Sequence, residues 1–233
     1  MHPVRIDSPD VQVFETEHIA AVRKVAPECM VLLKNDGTLP LSGAGKIALY
    51  GSGARRTIKG GTGSGDVNVR HFVNVEEGLE NAGFEITTKA WLDGYDKIVT
   101  DAKAAFYGAI RKEAEAAGAK GMQMMLFAMG RMCPEPEYEL PLDGEGDTAI
   151  YVLSRNSGEG ADRKPEEGDI NLTETEIRDI LALNKKYEKF ILVLNVGGMI
   201  DLKPVEEVSS ILLMGQLGMA TGDALADVVL GKA

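Results

Sequence analysis

Ala149-Ile150-Tyr151-Val152-Leu153 is followed, after Ser154-Arg155-Asn156, by Ser157-Gly158-Glu159-Gly160-Ala161-Asp162-Arg163. An unbroken apolar run bounded by turn residues predicts a strand buried on both faces. The glycine-flanked carboxylate after it then sits on a loop at the strand's carboxyl end, where open α/β sheets keep their ligands. On this reading Glu159 is the candidate chemical centre. An ordinary solvated acidic loop is the competing reading, and this stretch alone leaves both open.

Working outward, Ile47-Ala48-Leu49-Tyr50 predicts another buried strand, ended by Gly51-Ser52-Gly53 and followed by a second glycine-rich stretch, Lys59-Gly60-Gly61-Thr62-Gly63-Ser64-Gly65-Asp66. Asn74 to Ala82 reads as a short amphipathic helix capped by Gly83, and Phe84-Glu85-Ile86-Thr87-Thr88 as a strand, which together suggest a βαβ unit. On the other side, Thr173-Glu174-Thr175-Glu176 is a capping box that opens a helix with Ile177, Ile180 and Leu181 on one face. Residues 190–194 and 210–214 predict further strands, and residues 221–230 a closing helix before Gly231. Buried strands alternating with amphipathic helices define an α/β fold, a mainly parallel sheet with helices on both faces. In such a sheet the two glycine-rich loops emerge on one edge. No internal repeat or low-complexity linker divides the chain, so residues 1–233 are expected to form a single domain.

Two segments are less regular. Residues 16–34 carry Ile19, Val22, Val25, Met30 and Leu33 at a roughly helical period that Pro27 kinks or restarts, with Asn35-Asp36-Gly37 as the stop. From Trp91 to Thr148 the chain reads as an irregular helical insertion. It is helical and charged as far as Ala117, then irregular, with Met122, Met124, Met125, Met129 and Met132 close together and read as adaptable packing.

The 233 residues, 44% hydrophobic and 26% charged, suffice for a sizeable core. A net charge of -11 argues against nucleic acid or an anionic membrane as partner, because phosphates are bound by an excess of Lys and Arg. Cys29 and Cys133 have no second Cys or His at metal-ligand spacing and read as buried apolar residues, so no metal site is expected. Without a signal-like apolar segment at the N-terminus or an apolar run of spanning length, a cytoplasmic location is the expectation.

Competing chemistries fit poorly. Gly51-Ser52-Gly53-Ala54-Arg55-Arg56 lacks the third glycine of a dinucleotide fingerprint, and no Gly-Lys-Thr or Gly-Lys-Ser triplet is present, so no nucleotide cofactor is expected. Ser52, Ser64 and Ser157 lie outside any Gly-x-Ser-x-Gly elbow, and His2, His18 and His71 supply no paired general base. His71 reads as a surface or structural histidine.

Three motifs together carry a resemblance. Val31-Leu32-Leu33-Lys34-Asn35 ahead of Leu39-Pro40-Leu41, the stretch from Lys59 to Asp66, and the stretch from Ser157 to Pro165 resemble, in that order, the α/β sandwich domain of family 3 glycoside hydrolases, the bacterial β-glucosidases in particular. The likeness runs from about Glu17 to Lys232 and is loose between Trp91 and Thr148. It implies that Glu159 is the general acid/base of a retaining β-glycosidase and that Ser64 reaches the sugar, with no cofactor. It also implies that the nucleophile, an aspartate, belongs to a TIM-barrel domain of the same full-length chain, and that the substrate is a β-glucoside or oligosaccharide in the cleft between the domains. No barrel is recognisable in these residues, so a fragment of a larger glycosidase, inactive by itself, is the expectation. The alternative is a non-catalytic carbohydrate-binding or interaction domain of the same fold. Two positions depart from the family pattern: Ala161 stands where an aromatic residue is frequent, and Gly215-Gln216-Leu217 where Gly-Gln-Glu is.

Retaining glycosidases hold two carboxyl groups about 5 to 5.5 Å apart, one nucleophilic and one protonated for the leaving group. The acid needs a raised pKa. Arg155, Arg163 and Lys164 would oppose this if aimed at Glu159, so they are expected to pair with carboxylates such as Asp162, Glu166 or Glu167.

Overall fold

The computed structural model describes residues 9–62, 66–129, 131, 133–156 and 162–233. Among them six strands form one sheet in the order β1 (Val31–Lys34), β6 (Ile211–Leu213), β5 (Lys189–Val196), β4 (Thr148–Arg155), β2 (Lys46–Tyr50) and β3 (Glu85–Ile86). The centre is built from the longest apolar runs, β4 (Thr148–Arg155) and β5 (Lys189–Val196), paired in parallel register from Thr148 with Lys189 to Arg155 with Val196. β2 (Lys46–Tyr50) lies parallel to β4 and to β3 (Glu85–Ile86), and β6 (Ile211–Leu213) lies parallel to β5. Ile150, Val152, Ile191, Leu192 and Val193 are fully buried, as expected for strands covered on both faces.

The helices arise where the sequence places start and stop signals. α2 (Val75–Asn81) is capped by the Asn74 side chain, which accepts from the Glu77 N–H at 2.9 Å, and Gly83 follows with φ 96°. α5 (Glu174–Lys186) opens on the Thr173/Glu176 capping box, and Ile180 and Leu183 are fully buried. α6 (Thr221–Val229) packs on α2 so closely that a Cβ at Gly222 would lie 1.9 Å from the Asn74 carbonyl oxygen. Only glycine permits that approach.

α3 (Lys89–Ala116) is one continuous helix of 28 residues. Its first turns cover the sheet face that carries Tyr50 and Tyr151: Trp91 meets Tyr50 edge-on at 5.3 Å and stacks on Tyr95, and Tyr138 closes the group edge-on to both. α4 (Met122–Ala128) packs against α3 but leaves Met122, Met125 and Met129 at 75–80% exposure. For these three the reading as core packing is therefore corrected, because a helix of seven residues lying on another helix has only one covered side; Met124 is half-buried, and Met132 lies outside the described residues.

The N-terminal helix is also shorter than its apolar period predicts. α1 spans Val13–Val25, Ala26–Cys29 form a 3-10 turn with Pro27 in its first turn, and Val31–Lys34 become β1, antiparallel to β6 at the sheet edge. Proline supplies no N–H and ends the α ladder, after which the next apolar residues pair with β6. Cys29 ends this turn exposed and Cys133 is half-buried, so neither is the buried apolar residue that composition suggested.

Candidate functional site

β2 and β4 are in-register parallel neighbours, so both end on one edge of the sheet. After β2 the chain turns at Gly51, φ 93°, where a Cβ would lie 2.4 Å from the Val152 carbonyl oxygen. The turn is tied to β4 twice: the Gly53 N–H donates to the Val152 carbonyl at 2.9 Å, and the Ser154 N–H donates to Ser52 Oγ at 3.0 Å. Glu159 lies in 157–161 and Ser64 in 63–65, both outside the described residues. The segments that lead into and out of each are described, and they meet at this edge.

The segment after β4 is anchored on both sides. Arg155, the last residue of β4, donates from Nη2 to Glu176 Oε2 at 2.5 Å and from Nε to the Asp169 carbonyl at 3.1 Å. Arg163 donates from Nη2 to the same carbonyl at 2.8 Å and from Nε to the Asp169 carboxylate. The Lys164 N–H adds a bond to that carboxylate at 2.7 Å. Burial pushes the Asp169 carboxyl up, but the Lys164 N–H and the Arg163 guanidinium outweigh it and hold the carboxyl below its ordinary range. One residue thus gathers both stems of the segment that contains Glu159.

The expected carboxylate partners of these arginines are corrected here. Arg155 pairs with Glu176 and Arg163 with Asp169, rather than with Asp162, Glu166 or Glu167. Glu176 is 21 positions away, a proximity created by α5 returning its first turn under the strand end. Both guanidinium charges are compensated.

The glycine-rich segment has a similar base. Lys59 and Asp66 form an ion pair across residues 60–65, and the Lys59 carbonyl accepts from the Gly218 N–H at 2.8 Å. Fully buried Asn195, near the end of β5, accepts from the Ile58 N–H at 2.6 Å and the Ser154 hydroxyl at 2.7 Å. Its Nδ2 donates to the carbonyls of Ile58 at 2.9 Å and Gly215 at 2.7 Å. Gln216 Nε2 donates to the Arg155 carbonyl at 3.0 Å. Sequence reasoning passed over Asn195; the available signal was one carboxamide inside an otherwise apolar strand.

A cavity of about 580 Å³ opens at this edge, lined in part by Ser52, Tyr95, Glu135, Arg155, Arg163 and Asp169. The Tyr95 hydroxyl donates to Glu135, and burial pushes the Glu135 carboxyl up against the opposing pull of that hydrogen bond. The cavity wall therefore contains a carboxyl, Glu135, biased toward its protonated form. His71 stays at the surface, its Nε2 at 2.7 Å from Glu77, and takes no part in the cavity.

The described residues thus form a mainly parallel α/β sheet in which the adjacent strands β2 and β4 end on one edge. Residues 30–233 match the glycosyl hydrolase family 3 C-terminal domain, and the chain belongs to that family. Beta-glucosidase A of Butyrivibrio fibrisolvens is 34% identical, with 93% of this chain and 27% of that protein covered. A beta-glucosidase of Ruminococcus albus is 29% identical, covering 93% of this chain and 22% of its own length. The chain thus spans about a quarter of these relatives. The structure of beta-glucosidase 3B from Thermotoga neapolitana in complex with alpha-D-glucose superposes with a TM-score of 0.71 at 30% identity, over 95% of this chain and 30% of that one.

Proposed function

We propose that this chain is the sandwich domain of a retaining β-glycosidase acting on β-glucosides or related oligosaccharides, and that Glu159 is its general acid/base. The observation that supports the reading is the in-register pairing of β2 with β4, which ends on one edge of the sheet the two strands that the segments containing Ser64 and Glu159 follow in sequence. The relatives named beta-glucosidase support the substrate class.

In this mechanism a carboxylate supplied by a barrel domain of the full-length chain attacks the anomeric carbon, while Glu159 gives its proton to the leaving-group oxygen. In the second half Glu159 takes a proton from the water that releases the sugar. Ser64 contacts the sugar. Compensation of Arg155 by Glu176 and of Arg163 by Asp169 keeps two cations from favouring ionised Glu159. With the nucleophile elsewhere, the isolated 233-residue chain has no hydrolytic activity.

The test is Glu159→Ala in the full-length protein, assayed on an aryl β-glucoside with a good leaving group and on an unactivated disaccharide. General acid catalysis contributes about 10²- to 10⁴-fold, so hydrolysis of the disaccharide falls by that order. Cleavage of the activated glucoside persists, and azide restores rate by forming the glycosyl azide. Equal losses on both substrates remove Glu159 from the acid role. A full-length chain that binds glucosides and cleaves none establishes the binding-domain reading instead.

A further inference from the structure

We infer that Asn195 is a positioning residue that fixes the base of the glycine-rich segment, Ile58 and Lys59, against the end of β4, and that the proposed contact of Ser64 with the sugar depends on that base. The inference rests on the proposed contact between Ser64 and the sugar. Asn195 is fully buried, and its carboxamide makes two accepted and two donated hydrogen bonds. That is the full capacity of the group. No charge or solvent contact enters; the residue is a connector.

What it connects is specific. Two of the four bonds go to the backbone of Ile58, directly before Lys59, whose ion pair with Asp66 closes the base of residues 60–65. A third takes the hydroxyl of Ser154, next to Arg155 at the start of the Glu159 segment. The fourth holds Gly215, in the same stretch as Gln216, which bonds the Arg155 carbonyl, and Gly218, which bonds the Lys59 carbonyl. The ends of β4, β5 and β6 and the base of the glycine-rich segment thus share one carboxamide. Loss of its donor half leaves the Ile58 and Gly215 carbonyls without partners and frees the segment's base to shift.

The experiment is a double-mutant cycle in the full-length protein with Ser64→Ala, Asn195→Asp and their combination, reading KM for an aryl β-glucoside and the thermal midpoint. Asn195→Asp keeps the side-chain volume and aims an oxygen at two carbonyls. Each single change is expected to raise KM about ten-fold, and the double variant to exceed the larger single by less than two-fold, because both act on one contact. Additive effects, or a lowered midpoint with KM unchanged in Asn195→Asp, overturn the positioning role while Ser64 keeps its own. A Ser64→Ala variant with unchanged KM instead removes the sugar contact, and with it the route from Asn195. If Asn195→Asp does not fold, the smaller uncharged Asn195→Ser enters the same cycle.

Discussion

Arg155 Nη2 lies 2.5 Å from Glu176 Oε2, and the two residues are 5% and 1% exposed. The same carboxylate oxygen accepts the Thr173 N–H at 2.9 Å, so the helix cap of α5 and the counter-ion of β4's last residue are one group. A buried pair is strongly destabilised when one charge is removed, because the other keeps its desolvation cost. Glu176→Gln retains an oxygen for the cap and removes only the charge. Urea unfolding of the chain should show a loss of about 3–5 kcal/mol, and the paired change Arg155→Met with Glu176→Leu should lose less. A loss below about 1 kcal/mol for Glu176→Gln means the pair is not desolvated.

Glu135 lies beside the cavity, hydrogen-bonded by Tyr95, with Arg155, Lys103 and Glu176 as its charged surroundings, and burial raises its pKa. As pH rises, the unfolded chain releases this proton before the folded chain does, so the group lowers stability from the ordinary glutamate range up to its folded pKa. Glu135→Gln lacks this loss and can still accept from Tyr95. Its stability relative to the unmodified chain should therefore increase as pH rises through and above the ordinary glutamate range, and level off once the folded group has also ionised. A difference that is flat or shrinks over that range contradicts a raised Glu135.

The contact between α2 and α6 admits no side chain at two positions. A Cβ at Gly222 would lie 1.9 Å from the Asn74 carbonyl, and one at Gly78 would lie 2.1 Å from the Gly222 carbonyl carbon. Asn74 is also the cap of α2, so separating the helices disturbs its first turn. Gly222→Ala should destabilise the chain by about 2–3 kcal/mol or more through overpacking. Gly108→Ala in α3 meets nothing within 4 Å and should instead stabilise by about 0.5–1 kcal/mol. Thermal unfolding of the two variants must move in opposite directions.

The sheet was legible because its central strands are continuous apolar runs and its helices open on recognisable caps. β1 was not: Val31-Leu32-Leu33 continues a helical period, and only its distant partner Ile211-Leu212-Leu213 makes it a strand. β3 ends two residues earlier than its β-favouring run because Thr88 bonds β2 through its side chain, Oγ1 accepting the Leu49 N–H and donating to the Leu49 carbonyl. The rim showed the same limit. Arg155 and Arg163 were matched to nearby carboxylates, whereas Glu176 enters from a helix start and Asp169 from a turn. Local sequence marks where charge is, and topology decides which charges meet.

Asp169 ties the charge of Arg163 to the rim. Its carboxylate is the counter-ion of Arg163, four residues after Glu159 in sequence, and its carbonyl joins Arg163 to Arg155. Asp169→Asn keeps the carbonyl and one accepting oxygen but leaves Arg163 without its anion. An uncompensated guanidinium on the rim favours the ionised form of a nearby carboxyl. If Glu159 is the acid, its proton is then lost at lower pH. The alkaline limb of kcat/KM for an unactivated substrate, measured on the full-length protein, should move down by roughly one pH unit, because that profile reports the free enzyme's essential acid. The activated aryl glucoside, which needs little protonation of its leaving group, should keep its rate across the same range. A limb that stays in place while the thermal midpoint falls would limit Asp169 to holding the stems together.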